Sequence, residues 1–143
     1  MIQNRALDDV TGEIVDAAMK LHGALGPGLL ESVYETILAR NLERRGLDVT
    51  RQHAPSFDYD GLHFAEAFRI DLLVQDRVVV EIKSTDSFQP VHAKQVLTYL
   101  RLMNLPVGFL LNFGAPTMKE GLRRIVNNLP PGESPHLRVN RQD

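Results

Sequence analysis

Apolar residues recur every three or four positions in two stretches near the start of the chain. This spacing is typical of amphipathic helices and predicts one helix over residues 6–24 and a second over residues 30–45. Gly26-Pro27-Gly28 breaks the chain between them, and Gly46 stands where a helix C-terminal glycine belongs. The residues expected to face the core are Val10, Ile14, Ala17, Ala18, Leu21 and Leu25 in the first helix and Val33, Ile37, Leu38 and Leu42 in the second.

The middle of the chain carries shorter apolar runs that predict β-strands. Residues 47–58, 63–74 and 77–83 are the candidates, and Asp60-Gly61 is a strong hairpin signal between the first two. A nearly continuous apolar strand is typical of a central position that is covered on both faces. The third candidate has this pattern, through Val78, Val79, Val80 and Ile82.

A third helix and a further strand follow. Ser87 is expected to cap this helix, with Pro90 in its first turn. Residues 107–113 then predict another buried strand. The helix residues expected to face inward are Val96, Leu97, Leu100 and Met103.

The last part of the chain is less regular. Residues 117–128 fit two interpretations, because Thr117-x-x-Glu120 resembles a helix capping box and residues 121–126 equally fit an edge strand. From Leu129 onwards the chain is proline-rich and polar, and we expect a loose tail over residues 129–143. Residues 1–128 are long enough to form one domain with a single core.

The order helix, helix, three strands, helix and strand predicts an α/β fold with a mixed central sheet flanked by helices. The chain has no cysteine, which excludes disulfides, a thiolate nucleophile and cysteine-ligated zinc. A net charge of −2 argues against a strongly basic nucleic-acid coat protein. No apolar run approaches the ~20 residues of a membrane helix, and the N-terminus lacks a signal-peptide core, so we expect a cytoplasmic protein.

Charged residues interrupt the two most apolar strand candidates. Asp71 follows one apolar run, and Glu81 and Lys83 lie inside the next. Side chains alternate along a strand, so Glu81 and Lys83 share one face. A hairpin through Gln75-Asp76-Arg77 would bring Asp71 near Glu81, and two carboxylates and a lysine would converge.

That grouping suits a hard divalent cation and a phosphodiester. Mg²⁺ prefers oxygen ligands, which Asp71, Glu81 and the backbone carbonyl of Ile82 can supply. The metal would polarise a phosphoryl oxygen and lower the pKa of a bound water. Lys83 would stabilise negative charge in the transition state or help position the water. The alternative is a salt bridge at a strand edge.

Two helices carry a second group of polar residues. Glu31 and Tyr34 share a face, and Glu31 is either a third metal carboxylate or an anion favoured in the first turn by the helix dipole. His92, Gln95 and Tyr99 form one stripe, which can equally be a solvated face. The basic residues Arg40, Arg44 and Arg45 can track phosphates or interact with the helix C-terminus.

Three motifs together carry a resemblance to a known family. Residues 26–35, G-P-G-L-L-E-S-V-Y-E, resemble the signature of the GxxExxY protein family, which is grouped with the PD-(D/E)XK nuclease superfamily. Asp71 with Glu81-Ile82-Lys83 matches the metal-site motif of that superfamily, although Ile70 stands where proline is often found. Gln95-V-L-T-Tyr99 is similar to the QxxxY motif of the RecB-like branch. The resemblance runs from about Val10 to Val126 and covers most of the chain.

The resemblance implies a restriction-endonuclease-like αβββαβ core. It also implies a site in which Glu31, Asp71, Glu81 and Lys83 surround one divalent ion, Mg²⁺ or Mn²⁺. Gln95 would contact the scissile region or order the site, and Tyr99 would support it. The implied function is metal-dependent hydrolysis of phosphodiester bonds in DNA or RNA. The alternative is a catalytically silent module of the same fold that acts through a nucleic-acid or protein partner, and self-association as a homodimer is a further expectation.

Overall fold

The structure is a computed structural model that describes residues 5–128 and the backbone of residues 137–140. Its helices are α1 (Leu7–Leu25), α2 (Glu31–Arg44), α3 (Pro90–Met103) and the short α4 (Met118–Gly121). Its strands are β1 (Val49–His53), β2 (Ser56–Tyr59), β3 (Leu62–Phe64), β4 (Ile70–Val74), β5 (Val78–Lys83), β6 (Val107–Asn112), β7 (Leu122–Val126) and β8 (Leu137–Asn140).

The central sheet has the strand order β1-β4-β5-β6-β7. Strands β1, β4 and β5 pair antiparallel, β5 and β6 pair parallel, and β7 runs antiparallel to β6. A parallel pair needs a long crossover connection, which α3 provides between β5 and β6. The expected mixed α/β fold is therefore confirmed, and the sheet with its flanking helices is consistent with a restriction-endonuclease-like core.

Apolar residues cover both faces of this sheet. Helices α1 and α2 pack on one face and α3 packs on the other. Along β5, Val78, Val80 and Ile82 belong to the first cluster and Val79 belongs to the second. Burying one such side chain fully is worth about 1.5–3 kcal/mol. The continuous apolar run was predicted to mark a central strand that is covered on both faces. β5 is such a strand, with a helix layer on each side.

Two residues expected in the core are exposed. Leu25 is 47% exposed and Val33 is 37% exposed. Leu25 is the last residue of α1, and Val33 lies in the first turn of α2. Both residues therefore lie next to the connection between the helices. There the apolar spacing continues beyond the helix residues that pack against the sheet.

The two longest strand candidates are each divided between two sheets. Residues 47–58 form β1 and β2, and residues 63–74 form the end of β3 together with β4. Strands β3, β2 and β8 make a separate three-stranded sheet. The Asp60-Gly61 hairpin is confirmed between β2 and β3, with φ angles of 53° and 76°. Alternation looks the same in both sheets, so the pattern does not show where the chain passes from one to the other.

The helix starts in the second half are partly as expected. Ser87 does not cap α3, because Gln89 is the N-cap residue and makes no side-chain cap, although Pro90 does lie in the first turn. For residues 117–128 both interpretations hold in succession. The Thr117 hydroxyl accepts a hydrogen bond from the Glu120 N–H (3.2 Å) at the start of α4, and β7 follows as an edge strand.

The end of the chain contains one further strand. Residues 137–140 form β8, which pairs antiparallel with β2. The expectation of a loose tail is therefore wrong for these four residues, and the other residues from 129 onwards lie outside the described part of the chain. The domain boundary at residue 128 stays a prediction. None of the helices within the described residues is long and apolar enough to cross a membrane.

Candidate active site

A tight hairpin brings two carboxylates together. Strands β4 and β5 are joined through Gln75 and Asp76, whose φ angles are 55° and 53°. The register pairs Leu72 with Val80, so one step further along the strands Asp71 lies opposite Glu81. The Asp71 N–H donates to Glu81 Oε1 (3.1 Å). The Ile82 N–H donates to Asp71 Oδ2 (2.8 Å), so each carboxylate is held by the other strand, as the hairpin expectation required.

Glu81 is the more deeply placed of the two acids. Only 5% of its surface is exposed. Burial, and then the negative charge of Asp71, raise the pKa of Glu81 from 4.5 to about 8, and Lys83 opposes this only weakly. Two neighbouring carboxylates, one buried and one half-buried, repel each other when both are ionised. A divalent cation would remove this repulsion, so the donor set fits a hard metal ion.

Lys83 ends β5 on the same side as Glu81. Strand alternation places the two side chains on one face, and Lys83 is near enough to lower the pKa of Glu81. Its backbone is fixed by pairing with Asn112 of β6 and by the Phe113 N–H, which donates to the Lys83 carbonyl (2.8 Å). Within the described residues no ion pair joins Lys83 to Glu81, so the alternative of a strand-edge salt bridge is not what the structure contains.

Helix α3 places two more polar residues over the acids. Tyr99 is 8% exposed and stacks on Phe68, with ring centroids 4.7 Å apart. Burial, and then the charges of Glu81 and Asp71, raise the pKa of Tyr99, whereas a hydrogen bond with Gln95 lowers it. Tyr99 packs in the apolar cluster with Val79, which shares a strand face with Glu81, and Gln95 is the hydrogen-bond partner of Tyr99. The polar stripe of α3 is therefore not a plain solvated face.

The comparisons with known proteins bear on this constellation. A family model of the PD-(D/E)XK nuclease superfamily matches residues 8–125. The chain belongs to this superfamily. Searches of curated proteins and of solved structures found no match. The matched range includes both helices before the sheet, the hairpin with Asp71 and Glu81, and helix α3.

The third acid expected for a PD-(D/E)XK site lies apart from the other two. Glu31 is in the first turn of α2, and its Oε2 accepts a hydrogen bond from the Ser84 N–H (3.3 Å), one residue after Lys83. Among the residues that the structure describes, no group of three or more His, Asp or Glu side chains is arranged to hold a metal ion. Asp71 and Glu81 are thus a pair, and Glu31 borders it at the end of β5.

Tyr34 has a role that sequence reasoning missed. Its ring is fully buried and stacks on Phe113, with centroids 4.3 Å apart. Its hydroxyl donates to the Gly26 carbonyl (2.6 Å) and accepts from the Leu29 N–H (3.2 Å). Tyr34 therefore holds the connection from which Glu31 emerges, and its position three residues after Glu31 in the motif was the available signal.

Gln52 and Glu35 were also missed. The Gln52 amide donates to Glu35 Oε1 (2.6 Å) and to Asp71 Oδ1 (3.3 Å). Glu35 was visible as the last residue of the motif at residues 26–35. Gln52 gave no signal, because its contact with Asp71 depends on the pairing of β1 with β4, which the apolar pattern does not specify.

The basic residues at the end of α2 are not part of this site. Arg45 forms ion pairs with Asp16 (2.9 Å) and Glu13 (3.5 Å) of α1. Arg40 and Arg44 are exposed. At 1.5 Å per helical residue, Arg44 lies about 20 Å along α2 from Glu31. The structure therefore gives Arg45 a partner within the protein and leaves the nucleic-acid role of Arg40 and Arg44 as a prediction.

Proposed function

We propose that this protein is a divalent-metal-dependent nuclease that hydrolyses phosphodiester bonds in DNA or RNA. The observation that carries the proposal is the pair formed by Asp71 and Glu81 with Lys83 beside it, in a chain of the PD-(D/E)XK nuclease superfamily. A buried carboxylate beside a half-buried one is costly to ionise unless a positive charge accompanies them. A divalent cation would offset the charge of the two acids, and Lys83 and the cation together would bind a phosphate group.

Asp71, Glu81 and the backbone carbonyl of Ile82 would hold the ion, with Glu31 at the border of the site as a further carboxylate. Mg²⁺ or Mn²⁺ fits an oxygen donor set of this kind. When bound, the ion supplies Lewis acidity and lowers the pKa of a bound water. The raised pKa of Glu81 means that binding a cation near pH 7 also releases a proton from this pair.

The other residues act on the phosphate. Lys83 places an ammonium next to the acids, where it stabilises the negative charge that develops on the phosphoryl oxygens. Gln95, an exposed residue in the middle of α3, contacts the scissile region or orders the site, and Tyr99 supports Gln95 through a hydrogen bond. Arg40 and Arg44 extend a phosphate contact away from the site.

Finer expectations rest on the sequence motifs. The motif at residues 26–35 supports membership of the GxxExxY family, and Gln95 with Tyr99 supports the RecB-like branch. A homodimer and a cytoplasmic location remain predictions.

A second candidate function is a catalytically silent module of the same fold that binds a nucleic acid or a protein. The observation that favours it is that, among the described residues, Glu31 does not join Asp71 and Glu81 in a group of three acids arranged to hold a metal ion. A silent module would keep the fold and would not need the cation.

Mn²⁺ titration calorimetry beside a cleavage assay on DNA and RNA separates the two functions. We expect Asp71→Ala to lose both binding and cleavage, because it removes one of the two paired acids. We expect Lys83→Ala to bind Mn²⁺ and to cleave about 10²–10³-fold more slowly, as is typical when one charge-stabilising group is removed. Glu66→Ala and Lys119→Ala are matched controls, since both side chains are exposed and neither contacts the site.

The outcomes distinguish the proposals. Metal-dependent cleavage that Asp71→Ala and Lys83→Ala lower and the controls do not would support the nuclease. Cleavage unchanged in both site variants would contradict it. Wild-type protein that binds no Mn²⁺ and cleaves neither nucleic acid would favour the silent module.

A further inference from the structure

Two consecutive residues of β1 reach the same carboxylate. Arg51 donates from Nε to Glu35 Oε2 (3.1 Å), and Gln52 donates from Nε2 to Glu35 Oε1 (2.6 Å). In a regular strand, neighbouring side chains point to opposite faces. Gln52 escapes this rule because its backbone has a φ of 49°. The register of β1 with β4 joins Arg51 to Leu72 and His53 to Ile70, so Gln52 and Asp71 lie opposite each other between these two pairs.

This local distortion has a cost. A residue other than glycine at positive φ is strained by roughly 1–3 kcal/mol. Strained backbone angles of this kind persist where the surrounding structure enforces them, and they cluster at functional sites. Here the strand register sets Gln52 opposite Asp71 of β4, and the positive φ lets the same amide also reach Glu35 of α2.

The carboxylate of Asp71 is consequently fixed at both oxygens. Its Oδ1 accepts from Gln52 Nε2 (3.3 Å), and its Oδ2 accepts from the Ile82 N–H (2.8 Å). An amide is a neutral donor. It can therefore orient a carboxylate without cancelling the negative charge that a metal ion needs, whereas an arginine or lysine in this place would compete with the ion.

Gln52 is itself anchored to a rigid element. Glu35 is 7% exposed, and its charge is matched by Arg51 at 3.0 Å. Arg51 also donates to the Thr36 hydroxyl (2.9 Å), the next residue of α2. A chain of polar contacts thus runs from α2 through Arg51, Glu35 and Gln52 to Asp71.

We propose that Gln52 is a positioning residue that fixes the carboxylate of Asp71 for divalent-metal binding, with Glu35 and Arg51 holding Gln52 in place. The inference rests on the proposed nuclease function for its metal. The orientation of Asp71 itself does not depend on a metal, and that allows the two proposals to be tested apart.

Gln52→Met is the sharpest variant, because methionine keeps the length of the side chain and removes the donor. Thr50→Val is the matched control on the same strand, since Thr50 is exposed and lies outside the network. Two readouts are measured on each protein: Mn²⁺ affinity by calorimetry and amide hydrogen exchange by NMR in the absence of metal. Partners of ligating carboxylates are typically worth about 10–100-fold in metal affinity.

The expected result is a Kd for Mn²⁺ that rises about 10–100-fold in Gln52→Met and stays unchanged in Thr50→Val. Without metal, the Ile82 amide should exchange faster in Gln52→Met, because its hydrogen bond to Asp71 Oδ2 is weakened. The Val80 amide of the same strand should keep its protection. A merely structural role for Gln52 would change both amides together.

The outcomes are distinct. Wild-type protein that binds no Mn²⁺ would overturn the metal part and the proposed function together, and the Ile82 amide would still decide whether Gln52 positions Asp71. Wild-type affinity and wild-type Ile82 exchange in Gln52→Met would overturn the positioning role alone. Loss of the fold in Gln52→Met would also contradict the proposal, because it would make Gln52 a requirement for folding.

Discussion

Glu81 is a carboxyl group inside an apolar strand, and its surroundings decide its charge. Burial and the nearby Asp71 favour the neutral form, so the pKa of Glu81 rises from 4.5 to about 8. In the unfolded chain neither influence acts. Between these two pH values the folded protein therefore holds a proton that the unfolded chain has released.

This difference predicts how stability changes with pH in metal-free protein. Below about pH 4.5 Glu81 is protonated in both states, and its stabilising effect is fully present. As the pH rises towards 8 the unfolded chain gains stability by releasing the proton, so the free energy of unfolding should fall by on the order of a few kcal/mol. Urea unfolding in EDTA from pH 4.5 to 8.5 measures this.

Glu81→Gln is the test of that assignment. Glutamine cannot titrate, so the decline across this pH range should become much shallower. Glu66→Gln is the control, because Glu66 is exposed and its removal should leave the decline unchanged. An equally steep decline in Glu81→Gln would show that another group causes it.

The connection between α1 and α2 shows how one side chain holds an element in place. Gly26 and Gly28 have φ angles of 73° and 107°, which other residues adopt only with strain. The Tyr34 hydroxyl bonds to the Gly26 carbonyl and the Leu29 N–H across this turn. The Ser84 hydroxyl donates to the Leu29 carbonyl (2.7 Å), and so the turn is also tied to the end of β5.

Tyr34→Phe should loosen this connection. The ring and its stacking on Phe113 are kept, while two backbone groups lose their partner, which typically costs about 1–3 kcal/mol. Chemical denaturation measures the loss, and Tyr59→Phe is the matched control because Tyr59 is 50% exposed. Equal stability of the two variants would contradict the role given to the Tyr34 hydroxyl.

The elements also show where sequence patterns succeed. The helices α1, α2 and α3 and the strands β5 and β6 lie close to their expected ranges, because each has a long apolar stripe or a continuous apolar run. The pattern predicts one strand where β1 and β2 lie and one where β3 and β4 lie, because apolar and polar residues alternate in the same way in both sheets. Ser87 was an acceptable cap by type, yet the chain enters the helix two residues later.

At the scale of the whole molecule, the fold brings acids from two strands together under helix α3. The apolar layers on both faces fix this hairpin, so the repulsion between Asp71 and Glu81 cannot relax by moving them apart. A ligand that binds the folded state alone stabilises it by mass action. A divalent cation should therefore stabilise the entire domain.

Mn²⁺ is accordingly expected to raise the melting temperature. At a concentration about 100-fold above Kd the gain is about 2.7 kcal/mol, which corresponds to a rise of several degrees for a chain of this size. Differential scanning calorimetry with and without Mn²⁺ measures it. Asp71→Ala should show no rise, and Glu66→Ala should respond like the wild type. A rise that Asp71→Ala retains would place the ion elsewhere.

The sequence by itself determined the mixed α/β class, the central position of β5 and the meeting of Asp71 with Glu81. These depend on local rules, the period of apolar residues and the reach of a short hairpin, and such rules act between residues that are near in the chain. The same rules indicated Lys83 as their neighbour, since it is two residues from Glu81.

Only the tertiary structure decided the rest. That β1 and β2 belong to different sheets, that Glu31 bonds to Ser84 and that Arg45 is paired with α1 all involve residues far apart in the chain. Gln52 is the clearest case, because its contact with Asp71 depends on the pairing of β1 with β4, and its contact with Glu35 depends on a backbone angle that strand periodicity cannot express. These contacts depend on long-range packing, which helix and strand periodicity does not specify, and they place the groups around the acid pair.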